Sequence, residues 1–237
     1  MEQTGKQKSS IRRLVKHINE YWLNDVSFVA LLVVLIFSVF FLPVLIEFGH
    51  VNMLFVNLVF ISLFFIGIWS SDNRFLIVLT TFLFFFQLIL KILRLSTLPI
   101  EFYLLERIFG LINMAVFILV NFRLLFRDQE VNIYRVIGAV NVYLLLAVWG
   151  AYGFELIHLI LGSSITGIIE FSVQNKVEAF DKHFSTYIYF SLVSLTTVGF
   201  GDYTPVNIMS KMLAVFLSTI GILYPAVVIA KLVGYST

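Results

Sequence analysis

The 237-residue chain has no cysteine. Disulfides, Cys-ligated zinc and thiol chemistry are therefore excluded. Charge is also scarce. Asp, Glu, Lys and Arg make up 13% of the residues, against about 25% in a soluble globular chain. In their place the chain is 60% hydrophobic, with a mean hydropathy of +0.98. These values describe an integral membrane protein with little room for a soluble domain. The formal net charge of +2 is too small to imply a nucleic-acid partner. The sequence carries no nucleotide-binding motif, no Ca²⁺ loop and no catalytic constellation. We therefore expect neither an enzyme nor a cofactor, and no small-molecule substrate. The first apolar run is too long for the h-region of a secretory signal, and no small-residue cleavage site follows it, so it reads as a retained helix.

The chain divides into three parts. Residues 1–25 form a cytoplasmic basic segment containing Lys6, Lys8, Arg12, Arg13 and Lys16. Ile11, Val15, Ile18 and Trp22 recur within it at helical spacing, as in an amphipathic helix on a membrane surface. Residues 26–130 form a peripheral membrane domain of four helices, and residues 131–237 a second membrane domain. A spanning helix needs roughly 20 apolar residues. Six segments qualify, at about 26–46, 51–70, 75–95, 101–124, 134–161 and 206–234. The cluster Ser70-Ser71-Asp72-Asn73-Arg74 turns the chain after the second, and Pro99 closes the third. Between the fifth and sixth lie a polar loop at about 162–183 and an apolar stretch at 184–195 too short to span. The loop contains no Asn-x-Ser/Thr acceptor. The expected fold is thus all-α, with six transmembrane helices and a re-entrant helix between the last two.

Charge bias sets the expected orientation. With the N-terminus inside, Lys6, Lys8, Arg12, Arg13, Lys16, Arg74, Arg123, Arg127, Arg135 and Lys231 lie on the inner side. Lys91, Arg94, Arg107, Lys176, Lys182 and Lys211 lie outside. Ten against six favours the N-terminus inside. Both termini are then cytoplasmic, the chain ends close to the membrane at Tyr235-Ser236-Thr237, and the re-entrant segment faces outward.

That segment continues as Thr196-Thr197-Val198-Gly199-Phe200-Gly201-Asp202. Irregular backbone is tolerated at membrane depth only where protein buries it or it lines a watery cavity. Gly199 and Gly201 permit backbone angles that aim successive carbonyls one way. Thr197, Val198, Gly199 and Phe200 can then offer carbonyl oxygens in layers, with the Thr197 hydroxyl innermost. Such layers replace the hydration shell of a cation. Val198 and Phe200 would point away from the ion path. Asp202 would cap the outer mouth, where a ring of carboxylates concentrates cations. The short helix 184–195 would aim its partially negative C-terminus at the path. Tyr189 and Phe190 form an aromatic pair on it, and the Tyr189 hydroxyl could brace Asp202.

The run Tyr189-Phe190-Ser191-Leu192-Val193-Ser194-Leu195-Thr196-Thr197-Val198-Gly199-Phe200-Gly201-Asp202-Tyr203-Thr204-Pro205 resembles the pore signature of the tetrameric potassium channel family. The resemblance covers about 134–237; for 1–130 it rests on helix count alone. It implies a potassium-selective homotetramer in the cell membrane, with K⁺ bound at Thr197 to Phe200 and Gly201 completing the filter. Thr196, Asp202, Tyr189 and Phe190 would support that filter. Phe200 departs from the commoner tyrosine, Tyr189 from tryptophan, and Val193 from a glutamate found in some members. Gly221 falls where the family carries its gating hinge. Pro225 removes a backbone hydrogen bond four residues on and kinks the helix. The pair forms a hinge, with Ala226, Ile229 and Ala230 lining the inner vestibule below it.

A voltage sensor needs basic residues at every third position of one helix, each worth about 2.3 kcal/mol per 100 mV. The fourth span carries only Arg107 outside and Arg123 and Arg127 inside, with Ile108 to Val120 uncharged. Little voltage dependence is expected. Partners for Glu106 and Arg107 should come from other helices, with Glu101, Glu47 and Arg94 as candidates. Glu155 and His158 lie near the outer end of the fifth span, where a pH sensor is one reading and a plain helix-end histidine the favoured one; His183 reads as the start of the short helix. Three rival readings exist: a weakly selective cation channel, which Gly201 argues against; a cation transporter, which the single loop and lack of internal repeat argue against; and a silent subunit of a heteromeric channel.

Overall fold

A computed structural model describes residues 27–49, 53–69, 74–95, 100–125, 133–167 and 183–234. The expected amphipathic segment at 1–22, the turn at 70–73, most of the loop at 162–183 and the C-terminal residues 235–237 lie outside the described residues. The described part is helical throughout, apart from the connecting segments around 162–167 and 196–207. In chain order the helices are α1 (Ser27–Ile36), α2 (Leu42–Glu47), α3 (Met53–Trp69), α4 (Arg74–Leu95), α5 (Ile100–Leu125), α6 (Ile133–Leu161), α7 (Phe184–Leu195) and α8 (Ile208–Gly234).

α1 and α2 belong to one expected span. A π-helical turn at Phe37–Phe41 joins them. Pro43 explains where it falls. Proline has no N–H to donate and its ring crowds the carbonyl four residues back, and the widened turn lies just before it. The remaining helices begin and end within two residues of the expected segments, and α7 coincides with 184–195. Four helices are long and apolar enough to cross a membrane, over Phe28–Glu47, Tyr103–Arg123, Ile133–Leu161 and Ile208–Lys231. α3, with 17 residues, reaches about 26 Å at 1.5 Å per residue, and α4 contributes the shorter apolar stretch Val78–Leu90.

α6 is the hub. It packs on α1, α5, α7 and α8, and small residues let those neighbours approach. Where α6 meets α7 and α8, a Cβ on Gly150 would overlap the Ser191 hydroxyl and the Leu217 side chain. Ser191 Oγ uses that room to donate to the Ala147 carbonyl at 2.6 Å. One turn on, a Cβ on Gly153 would meet Leu213 of α8 at 2.8 Å. At the other end of α6, Asn141 Nδ2 donates to the Phe28 carbonyl of α1 at 2.9 Å. Outward-facing positions remain apolar. Val78, Phe82, Phe85, Ile89 and Ile92 are exposed along one face of α4, the i, i+4, i+7 stripe that a lipid-facing or neighbour-facing helix requires.

Arg107 of α5 finds a partner on another helix, as expected, though one outside the candidates named. Its Nε lies 3.0 Å from Glu155 Oε1 on α6. Glu155 is only 3% exposed, and Glu106 is buried too. The reason is packing. α5 lies along α6, so a long side chain leaving α5 inward meets α6 before any loop. A lone charge would be very costly among apolar side chains, and pairing offsets part of that cost.

The three-helix crossing at Gly150 is testable. Gly150→Ala should destabilise the protein by about 1–3 kcal/mol through overpacking. Gly234→Ala, where nothing lies within 4 Å of the added methyl, should not. Thermal unfolding in detergent checks this, and equal midpoints for the two variants would refute the crossing.

Candidate functional site

α7 stops inside the protein, so its last carbonyls must find donors. They do. The Leu192 carbonyl accepts from Thr196 N at 2.8 Å and from Thr196 Oγ1 at 2.7 Å. The Ser194 carbonyl accepts from Thr197 N at 3.1 Å and from Ser218 Oγ of α8 at 2.8 Å. The Leu195 carbonyl lies 3.4 Å from the Tyr143 hydroxyl of α6. Two of these donors, Ser218 and Tyr143, escaped the sequence reading. No spacing in the chain relates residue 143 to residue 195.

Gly221 belongs to the same arrangement. A Cβ there would fall within the Leu195 carbonyl group. The helix runs unbroken through Gly221 to Gly234, with Pro225 inside it. Gly221 is therefore first a close-approach residue, where α8 rides over the end of α7. The two residues also share one missing bond, because the absent Pro225 N–H is the one that would reach the Gly221 carbonyl. The pairing that suggested a hinge thus coincides with the tightest contact below α7.

After Thr196 the backbone alternates. Thr197, Gly199 and Gly201 have φ of 58°, 59° and 82°, and Val198 and Phe200 between them stay outside the left-handed region. In such an alternation consecutive carbonyls project to one side, whereas in a strand they take opposite sides. Left-handed φ is easy for glycine and costly for threonine. Thr197 is the one described non-glycine residue that adopts it, a strain of the kind found at functional sites. All residues from Thr196 to Asp202 are exposed in the single chain. Val198 is 54% and Phe200 71% exposed. Both line a cavity of about 330 Å³. Its other walls are Val39, Phe40 and Pro43 around the π-helical turn, and Ser185, Ile188, Tyr189, Leu192, Val193 and Thr196.

The outer end of the loop is pinned from two sides. Tyr189 donates its hydroxyl to Asp202 Oδ2 at 2.7 Å, and its ring stands edge-on to Tyr203 at 5.8 Å. Phe190 turns the other way, burying its ring against Phe154 of α6 at 4.9 Å. The expected aromatic pair is thus split between loop and core. The second pin joins the segment after α6 to the segment after Asp202. Thr166 N donates to the Thr204 carbonyl at 2.9 Å and Val206 N to the Ser164 carbonyl at 3.0 Å. Asn207 Nδ2 donates to the Ser163 carbonyl. At the head of α7, burial lowers the His183 pKa and the Glu47 carboxylate opposes the shift.

On α8, Ala226, Ile229 and Ala230 are exposed in the single chain, as is Thr219 above them. Among the described residues, no group of His, Cys, Asp or Glu could hold a metal ion.

Residues 144–237 match a protein-family model described as an ion channel. The match spans α6 from Leu144, the whole of α7, the loop and α8, less than half of the chain. No curated protein matches the chain, and no solved structure does. With four helices able to cross a membrane, the match supports a multi-pass membrane protein with an ion-channel domain in its C-terminal part, a class that conducts ions passively.

Gly221→Ala should fail to give the wild-type species by size-exclusion chromatography in detergent, because the methyl displaces α8 from α7. Wild-type elution and thermal midpoint in that variant would refute the close approach.

Proposed function

We propose that the protein is a potassium-selective channel, assembled from four identical chains around one ion path. The observation that carries this reading is the alternating backbone from Thr197 to Gly201, set directly after the C-terminus of a short buried helix. A dehydrated cation needs several oxygen layers, each holding it weakly enough to let go. The carbonyls of Thr197, Val198, Gly199 and Phe200 supply such layers, the Thr197 hydroxyl adds an inner one, and Gly201 lets the backbone leave the row. One chain supplies one wall, so four are needed. The exposed Val198 and Phe200, and the exposed apolar residues of α8 such as Met212, Phe216, Leu223 and Val227, agree with neighbours on those faces.

In this reading all six long helices cross the membrane, α3 and α4 included, with α7 re-entrant from outside. Both termini then face the cytoplasm of a cell membrane. Asp202 gathers cations at the outer mouth, held by Tyr189. The segment of α8 below Pro225 lines the inner vestibule and moves in gating. The peripheral helices do not act as a steep voltage sensor. The middle of α5 carries no charge, and Arg107 is paired with Glu155 on the channel domain's own α6.

Purified protein in planar bilayers under opposed K⁺ and Na⁺ gradients should show a reversal potential that follows K⁺. A reversal potential indifferent to the K⁺ gradient defeats selectivity, and no current from the chain alone points to a silent subunit. The conductance–voltage relation should be shallow; an effective gating charge of several units would sink that part. Asp202→Asn should lower unitary conductance severalfold at low ionic strength and little at high salt, where the mouth's field is screened. Equal loss at both salt levels would argue against a cation-gathering role.

A further inference from the structure

The buried charges between α5 and α6 do more than neutralise each other. Glu155 Oε1 takes the Arg107 Nε at 3.0 Å and the Tyr103 hydroxyl at 2.5 Å. The same Tyr103 oxygen accepts from Arg107 Nη2 at 2.8 Å. Three side chains thus close a ring of polar contacts. The guanidinium also lies over the rings of Tyr103 and Tyr152, 4.8 and 5.3 Å from their centres. Arg107 and Glu155 are 6% and 3% exposed, and Tyr103 only 1%. A guanidinium fixed by a carboxylate, a phenol and two aromatic faces is held in one place.

This clasp stands behind α7. Tyr187 of α7 is fully buried beside the end of α6. His158, one turn beyond Glu155, stands edge-on to the Tyr187 ring at 6.2 Å. Tyr152 is linked to the head of α7 through Phe60 of α3. Phe60 stacks edge-on to Tyr152 at 5.7 Å and to Phe184 at 5.1 Å. Six residues after Glu155, α6 ends and enters the segment 163–166, which is hydrogen-bonded to 204–207 beyond Asp202. The end of α6 thus holds the peripheral domain on one side and the outer exit of the loop on the other.

We infer that Arg107, with Tyr103 and Glu155, is a positioning residue for ion conduction. The clasp sets where α7 and the outer loop stand, and so sets the lifetime of the conducting state from outside the channel domain. A stimulus that shifts α5 against α6 would reach the loop through it. A connected set of contacts is not by itself coupling, which must be measured as a non-additive effect. The inference rests on the channel reading above.

The test uses the full chain in planar bilayers, with size-exclusion chromatography to establish assembly. Arg107→Gln and Tyr103→Phe should change mean open duration at least fivefold, with unitary conductance within twofold of wild type. The charge-reversed double variant, Arg107→Glu with Glu155→Arg, should bring open duration back to within twofold of wild type. A merely structural role would change the yield of assembled protein and leave the open duration of assembled channels alone. If Arg107→Gln does not assemble, Tyr103→Phe decides, since it removes one hydroxyl and keeps the ring. Wild-type open durations in Tyr103→Phe overturn the inference, as does an assembled double variant that stays as altered as the single one. Absence of K⁺ current in the wild type is a different result, and defeats the channel reading itself.

Discussion

A helix that stops inside the protein leaves its last carbonyls without water, and this constraint organises the structure around α7. Orphaned carbonyls in an apolar medium cost several kcal/mol each. Here they are answered from three directions: by Thr196 and Thr197 just ahead, by Ser218 on α8 and by Tyr143 on α6. The answer demands close packing. Gly221 brings α8 onto the Leu195 carbonyl, and Gly150 lets α6 meet both α7 and α8. Any side chain at either position would push apart the helices that deliver those donors.

With α7 held in this way, the next five residues can adopt a backbone that would not persist alone. The left-handed φ of Thr197 is unfavourable for a residue with a Cβ. It is tolerated because α7 holds one end of the loop, while the Tyr189–Asp202 hydrogen bond and the pairing of 163–166 with 204–207 hold the other. The result is a row of carbonyls whose direction owes little to local preference and much to two anchored ends.

The peripheral helices are tied to the same region by polar contacts rather than by apolar packing alone. Gln87 and Asn113 join α4 to α5 at 3.1 Å, Asn141 joins α6 to α1, and the Arg107–Glu155–Tyr103 ring joins α5 to α6. Between helices already surrounded by apolar material, hydrophobicity distinguishes one packing from another only weakly. Buried polar pairs give each interface its register.

Hydrophobic run lengths were enough to place every described long helix within two residues, because a helix among apolar neighbours has to satisfy its own backbone and does so over one uninterrupted apolar stretch. The loop was legible for a related reason. Two glycines flanking Phe200, a threonine pair before them and an acid after them form a dense local pattern with few alternative uses. Several other features left no local trace. Arg107 and Glu155 lie 48 positions apart, and nothing in either neighbourhood names the other. Gly221 read as a hinge from its spacing after Asp202 and from Pro225 one turn on; its close approach to Leu195, on another helix, has no trace in the sequence. Tyr189 and Phe190 look like a pair in sequence, but successive helical side chains diverge by about 100°, so one reaches Asp202 and the other Phe154. The sequence by itself determined the helices and the glycine-bearing loop after α7, since both depend on backbone chemistry that neighbouring residues dictate. Only the tertiary structure decided which charges pair, which glycine is a contact and what anchors the loop, because those depend on helices brought together across the membrane.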